Sequence, residues 1–185
     1  MPVTHVPGSF STRAEYSGAM GRLLAYFLTW TTYGTWLRGD ARGWAEIGED
    51  GVTRYAEPDP ERVAADRGRL KHEPIVLSPD MRQVIDQAIR DGCDHRGWRL
   101  HAVNVRSNHV HAVVSANREI DRVLADLKAW GTRRLREQGF VAAEARIWTR
   151  HGSTRFLNSP ASLAAAMDYV GRFQDGDRFE WQSRH

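Results

Sequence analysis

With 185 residues, 41% of them apolar and 26% charged, the chain has material for one core with extensions and is short for two. Cys93 is the only cysteine, which excludes an internal disulfide and cysteine-based zinc sites, and no apolar run is long enough to span a bilayer. The formal charge is only +3, but a pI near 9.3 and seven tryptophans suit a surface that grips phosphates and stacks unpaired bases. Taken alone, the composition favours a plainer reading, tryptophans in a core and arginines on a solvated face. The first residues, Met1 to Gly8, show no basic segment followed by an apolar one, so no secretory signal is expected and a cytoplasmic location is.

Residues 1–22 mix Pro, Gly, Ser, Thr and charge without periodicity and read as a flexible arm. The aromatic and β-branched run 23–32 reads as a central strand. A long connection rich in Gly, Pro and charge follows over about 34–77, with a short helix over 60–70. Insertions of that length usually carry a function or move. Ser78-Pro79 opens a helix, with Ser as cap and Pro in the first position, and Gly92 is expected to end it. Strands are expected over 98–105 and 109–115, joined by a turn at Ser107-Asn108. A helix over 118–138, a strand within 146–157 and a helix from Ser159-Pro160 to about 173 complete the series. The tail 176–185 is left over. The order β, loop, α, β, β, α, β, α gives an α+β fold: a ferredoxin-like split βαβ sandwich, antiparallel, with helices on one face and an extra C-terminal helix.

Asn108-His109-Val110-His111-Ala112-Val113-Val114 is the most informative stretch. Alternation along a strand puts His109 and His111 on one face, with Cα atoms about 6.5–7 Å apart, close enough for both rings to reach one divalent ion. If the helices cover the other face, over Val110, both histidines stand on an open face. Two histidines do not complete a metal site, so carboxylates, amides, waters or phosphate oxygens must supply the rest. A pair of half-exposed histidines on an amphipathic strand is the simpler alternative.

This pattern resembles the single-tyrosine HUH transposases, more narrowly the REP-associated branch and its insertion-sequence relatives. His109-Val110-His111 matches the HUH motif. Ile147-Trp148-Thr149-Arg150 and Arg155-Phe156-Leu157 are similar to the family's segment leading into the last strand. Asp168-Tyr169-Val170 falls where the family carries its nucleophile, and the resemblance spans about 24–175. It implies metal-dependent nicking and strand transfer on single-stranded or hairpin DNA. Tyr169 would become linked to the 5′-phosphate, with Mg²⁺ or Mn²⁺ held by His109 and His111. Relatives include monomers and domain-swapped homodimers, and both remain open. The family often adds an amide four residues after the tyrosine. Phe173 occupies that position here, and Gln174, about 140° away on an ideal helix, is the candidate third ligand. The family's Asn-Pro helix ending is replaced by Gln174-Asp175-Gly176.

On the last helix Leu163, Ala166, Met167 and Val170 form an apolar stripe with Tyr169 on its flank, as suits either a supported nucleophile or an ordinary boundary tyrosine. The stretch Thr32 to Trp44 interleaves aromatics, arginines and glycines. Trp36, Arg38, Arg42 and Trp44 are candidate DNA contacts, with Arg150, His151 and Arg155 ahead of the tyrosine helix. Asp40, Glu46, Glu49 and Asp50 are candidate additional ligands. Besides the transposase reading, a non-catalytic single-strand binder, such as a domesticated transposase, fits the missing amide at position 173. A small metal hydrolase would need further acidic ligands.

Overall fold

The computed structural model describes residues 23–47 and 53–172. The expected arm, the tail and Gln174 lie outside the described residues. In chain order the elements are β1 (Ala25–Thr31), β2 (Trp44–Ile47), β3 (Thr53–Ala56), α1 (Pro60–Gly68), α2 (Pro79–Arg96), β4 (Arg99–Val105), β5 (His109–Ser115), α3 (Ile120–Glu137), β6 (Ser153–Leu157) and α4 (Pro160–Arg172). The main sheet has the order β4-β5-β1-β6, and every neighbouring pair is antiparallel. This is the expected ferredoxin-like arrangement, in which β4, following α2, and β6, following α3, flank the central pair β5 and β1.

Alternation builds the core. Tyr26, Leu28 and Trp30 of β1 and Val110, Ala112 and Val114 of β5 face α2 and α3, where they meet Ile85, Ile89, Val123 and Leu127. Burying each such large side chain contributes about 1.5–3 kcal/mol. The opposite face is not open, contrary to expectation. Ala25, Phe27, Ala102 and Val113 make it apolar as well, and α4 covers them with Leu163, Ala166, Tyr169 and Val170. Met167, expected in that stripe, is 38% exposed. The helix is therefore rotated so that Tyr169 joins the buried side. This rotation matters for the site, because His109 and His111 share that face.

Local signals account for the helix ends. Ser78 accepts from the Met81 N–H at 3.2 Å. Ser159 and Ser162 exchange reciprocal bonds at 3.2 and 3.1 Å, which fixes the start of α4. The stop expected at Gly92 comes instead at Gly97, which is left-handed with φ 65°. Gly92 serves close approach: a Cβ there would lie 2.9 Å from Cγ of Trp130 on α3. The long connection is folded rather than open. It contains the β2–β3 hairpin, for which Asp50-Gly51 was an available sequence signal, and α1. It is tied back by the Ile75 N–H to Tyr33 C=O at 2.9 Å and by the Leu77 N–H to Ser107 C=O at 2.7 Å. The strand expected within 146–157 is β6, at the end of that stretch. Trp148 bridges to Thr32, the chain leaves the sheet at Arg150, and β6 begins at Ser153.

Gly92→Ala is therefore expected to destabilise the domain by about 1–3 kcal/mol through overpacking against Trp130, despite alanine's better helix propensity. Denaturant unfolding monitored by tryptophan fluorescence checks this. A stabilised variant would mean that α2 and α3 do not approach as described.

Candidate active site

The hairpin from β4 to β5 sets the geometry. Thr29 and Thr31 of β1 lie opposite His111 and His109, and the two imidazoles are 4.7 Å apart, centroid to centroid. Each ring is held through Nδ1. His109 Nδ1 lies 2.7 Å from the Asn108 side-chain oxygen, and His111 Nδ1 lies 2.8 Å from the Thr29 hydroxyl. The Asn108 oxygen can only accept, so the His109 proton sits on Nδ1 and its ligand lone pair on Nε2. His111 presents the same lone pair when Nδ1–H donates to Thr29. Burial, helped by the charges of His109 and Arg106, pushes His111 down to about 3. The ring is therefore neutral near pH 7, as a metal ligand must be.

Tyr169 arrives from α4. Its ring centroid is 5.3 Å from that of His111, edge-on, and 5.7 Å from that of Phe27. Phe27 in turn stacks on His111 at 5.7 Å. The three rings form one packed group, so the tyrosine cannot move without disturbing a histidine. Burial raises the Tyr169 phenol above its ordinary value, partly offset by the Arg106 charge. The phenol is thus protonated at neutral pH.

Asn104 of β4 and Arg106, just past its end, complete the group and were not singled out from the sequence. Asn104 lies opposite His111, and its amide donates to the Val170 carbonyl at 2.8 Å, pinning α4 one residue past the tyrosine. The Arg106 N–H donates to the His109 carbonyl at 2.8 Å, and the residue is 8% exposed. Counting back across the Ser107-Asn108 turn pairs Arg106 with His109 and Asn104 with His111, so the signal was available in the hairpin register.

The proposed DNA contacts fall into three groups. Trp36 is 37% exposed and stands edge-on to His109 at 6.3 Å, which brings its loop to the histidine pair. Arg42 lies 4.8 Å over the Trp36 ring and is paired with Asp40 at 2.6 Å, while Arg38 grips Asp66 through two bonds of 2.8 and 2.7 Å. Both arginines thus hold the loop in shape, and Asp40, with its carboxyl held below the usual range by Arg42, belongs to that framework. Arg150, His151 and Arg155 are exposed. Lys128 shapes the turn that carries the first two by donating to the Thr149 and His151 carbonyls, each at 3.1 Å. The side chains of Trp44 and Glu46, and Glu49 and Asp50 altogether, lie outside the described residues. No group of three or more His, Cys, Asp or Glu able to hold a metal exists among the described residues. Nor, among them, is any helix long and apolar enough to cross a membrane.

The family described as "Transposase IS200 like" matches residues 69–160, a segment that holds both histidines and stops short of Tyr169. No curated protein matches the chain. Among solved structures, a candidate transposase from Deinococcus radiodurans R1 is 16% identical with a TM-score of 0.47, over 83% of this chain and 93% of that one. A REP-associated tyrosine transposase bound to a REP hairpin is 12% identical with a TM-score of 0.46, over 83% of this chain and 70% of that one. The chain belongs to the IS200-like transposase family.

Proposed function

We propose that this transposase nicks and rejoins single-stranded DNA, single-stranded or hairpin-borne, through a covalent link between Tyr169 and a 5′-phosphate. The observation that carries the reading is the contact of the Tyr169 and His111 rings at 5.3 Å, beside a second histidine 4.7 Å further on. In the step proposed, the Tyr169 oxygen forms a bond to phosphorus as its proton leaves. The bond from phosphorus to the 3′-oxygen breaks, and that oxygen takes up a proton to depart as a hydroxyl.

The donor set fits a divalent ion in part. His109 and His111, each oriented through Nδ1, supply two nitrogen ligands, while the remainder would come from an amide such as Gln174, from water or from phosphate oxygens. Mg²⁺ or Mn²⁺ bound there would supply Lewis-acid polarisation of the scissile phosphate. The chain's own residues do the positioning. Phe27 supports both reacting rings, Asn104 fixes the end of the tyrosine helix, and Trp36 offers an aromatic edge beside His109 for an unpaired base. The absence of a third acidic or imidazole ligand among the described residues is what favours the second reading, a binder without chemistry.

Labelled single strands carrying hairpins from the flanks of the chain's own reading frame, incubated with Mn²⁺, test the proposal. Wild type is expected to give a covalent protein–DNA adduct and Tyr169→Phe none. Metal-independent binding without any adduct would establish the binder instead.

His109→Ala and His111→Ala should each abolish cleavage and keep most DNA affinity, which comes from arginines and stacking. Their stabilities should differ, however. His111→Ala is expected to cost about 1–2 kcal/mol, because the ring packs under α4, and His109→Ala less. Melting curves, binding curves and cleavage rates on the two variants give the comparison, and cleavage by either would remove the metal site from the account.

Asn104→Leu keeps nearly the same shape without adding charge but cannot donate to the Val170 carbonyl. It is expected to lower the cleavage rate by about 10²-fold through misplacement of the tyrosine, with DNA affinity unchanged. An unchanged rate would show that α4 is positioned by packing alone.

A further inference from the structure

We propose that the turn 149–152 is a phosphate-binding site for single-stranded DNA beside the histidine pair, built from the backbone N–H groups of Arg150 and Gly152 and aimed by Lys128. The inference rests on the reading of the chain as a binder of single strands and adds a subsite to it. Lys128 stands on α3, and its ammonium donates to the Thr149 and His151 carbonyls, each at 3.1 Å. No peptide bond among the described residues is cis, and across a trans peptide the N–H points opposite to the C=O. Drawing those two carbonyls toward Lys128 therefore turns the Arg150 and Gly152 N–H groups away from it. Because α3 covers the sheet face opposite the histidines, the two donors are turned to the histidines' side.

Neither N–H has a hydrogen-bond partner among the described residues, and both residues are exposed. Two backbone donors aimed the same way in one turn form a concavity suited to an anion, and the Lys128 charge beneath them acts in the same sense. The turn is also held at a fixed height. A Cβ on Gly152 would lie 2.6 Å from the Thr29 carbonyl oxygen, so the backbone packs directly against β1. The Thr149 N–H donates to the Thr31 carbonyl at 3.1 Å, and Thr31 lies opposite His109. The turn thus stands about two strand spacings, roughly 10 Å, from β5. That separation suits a phosphate further along the strand and leaves the scissile one to the histidines. Lys128 is on this account a positioning residue, which acts through the turn and does not touch the DNA.

The test uses the full chain, dT20 as the single strand and EDTA, so that neither metal nor cleavage enters. Adding dT20 to the wild type should move the Arg150 and Gly152 amide protons downfield in proton–nitrogen NMR spectra, as bonding to an anion does. Lys128→Met should lose both shifts and bind dT20 about tenfold more weakly, the loss of one hydrogen bond to a charged group. Arg150→Gln keeps the backbone donor and should keep both shifts. Wild type that binds dT20 without moving these amides overturns the proposal, as does loss of the shifts in Arg150→Gln, which would assign the contact to the side chain. If Lys128 serves stability alone, Lys128→Met melts earlier yet keeps the affinity and both shifts, and that result also overturns it. If Lys128→Met does not fold, wild type and Arg150→Gln decide by the same two amides. Wild type that binds no dT20 contradicts the single-strand reading, and inorganic phosphate then judges the turn: shifts of the two amides support the site and their absence overturns it.

Discussion

The structure depends on one pairing, that of β5 with β1 on one side and β4 on the other. Because strand side chains alternate, the register that sends Val110, Ala112 and Val114 into the core under α2 and α3 must send His109 and His111 to the opposite face. A slip by one residue would bury two imidazoles and expose three apolar side chains, a change no local contact could offset. The stability of the core and the aim of the histidines are thus one constraint.

That opposite face is then shared between packing and chemistry. At one end Ala25, Phe27, Ala102 and Val113 give α4 an apolar seat. Toward the other, Asn104, Arg106, His109 and His111 form a polar patch. Tyr169 stands at the border, with its ring in the apolar group and its edge toward His111. The same burial that positions it also keeps its phenol protonated, so in the proposed reaction it would be charge stabilisation at the phosphate, rather than an ionised nucleophile, that supplies reactivity. On the proposed reading His111, kept neutral by its burial, would be free to accept a metal.

Much of this was legible in the sequence. The strand order and the capped helix starts at Ser78 and Ser159 follow from local patterns, as does the placement of His109 and His111 on one face. What stayed hidden depended on tertiary contact. Gly92 looked like a helix stop because close approach to Trp130 leaves no local mark. The histidine face looked open because the seat for α4 is assembled from three strands. Arg38 and Arg42, expected as DNA contacts, also engage Asp66 and Asp40, pairings that no local pattern announces. Asn104 and Arg106 were within reach, since the two-residue turn fixes their partners, but neither belongs to a short motif.

The central claim is that Tyr169 is the atom donor to the DNA, and peptide mapping of the covalent product tests it most directly. Trypsin cutting after Arg155 and Arg172 releases a peptide whose single tyrosine is Tyr169. The account expects a nucleotide 5′-phosphate mass on that tyrosine after nuclease trimming of the adduct. A nucleotide found on Tyr26, Tyr33 or any other residue, with the Tyr169 peptide unmodified, would contradict it.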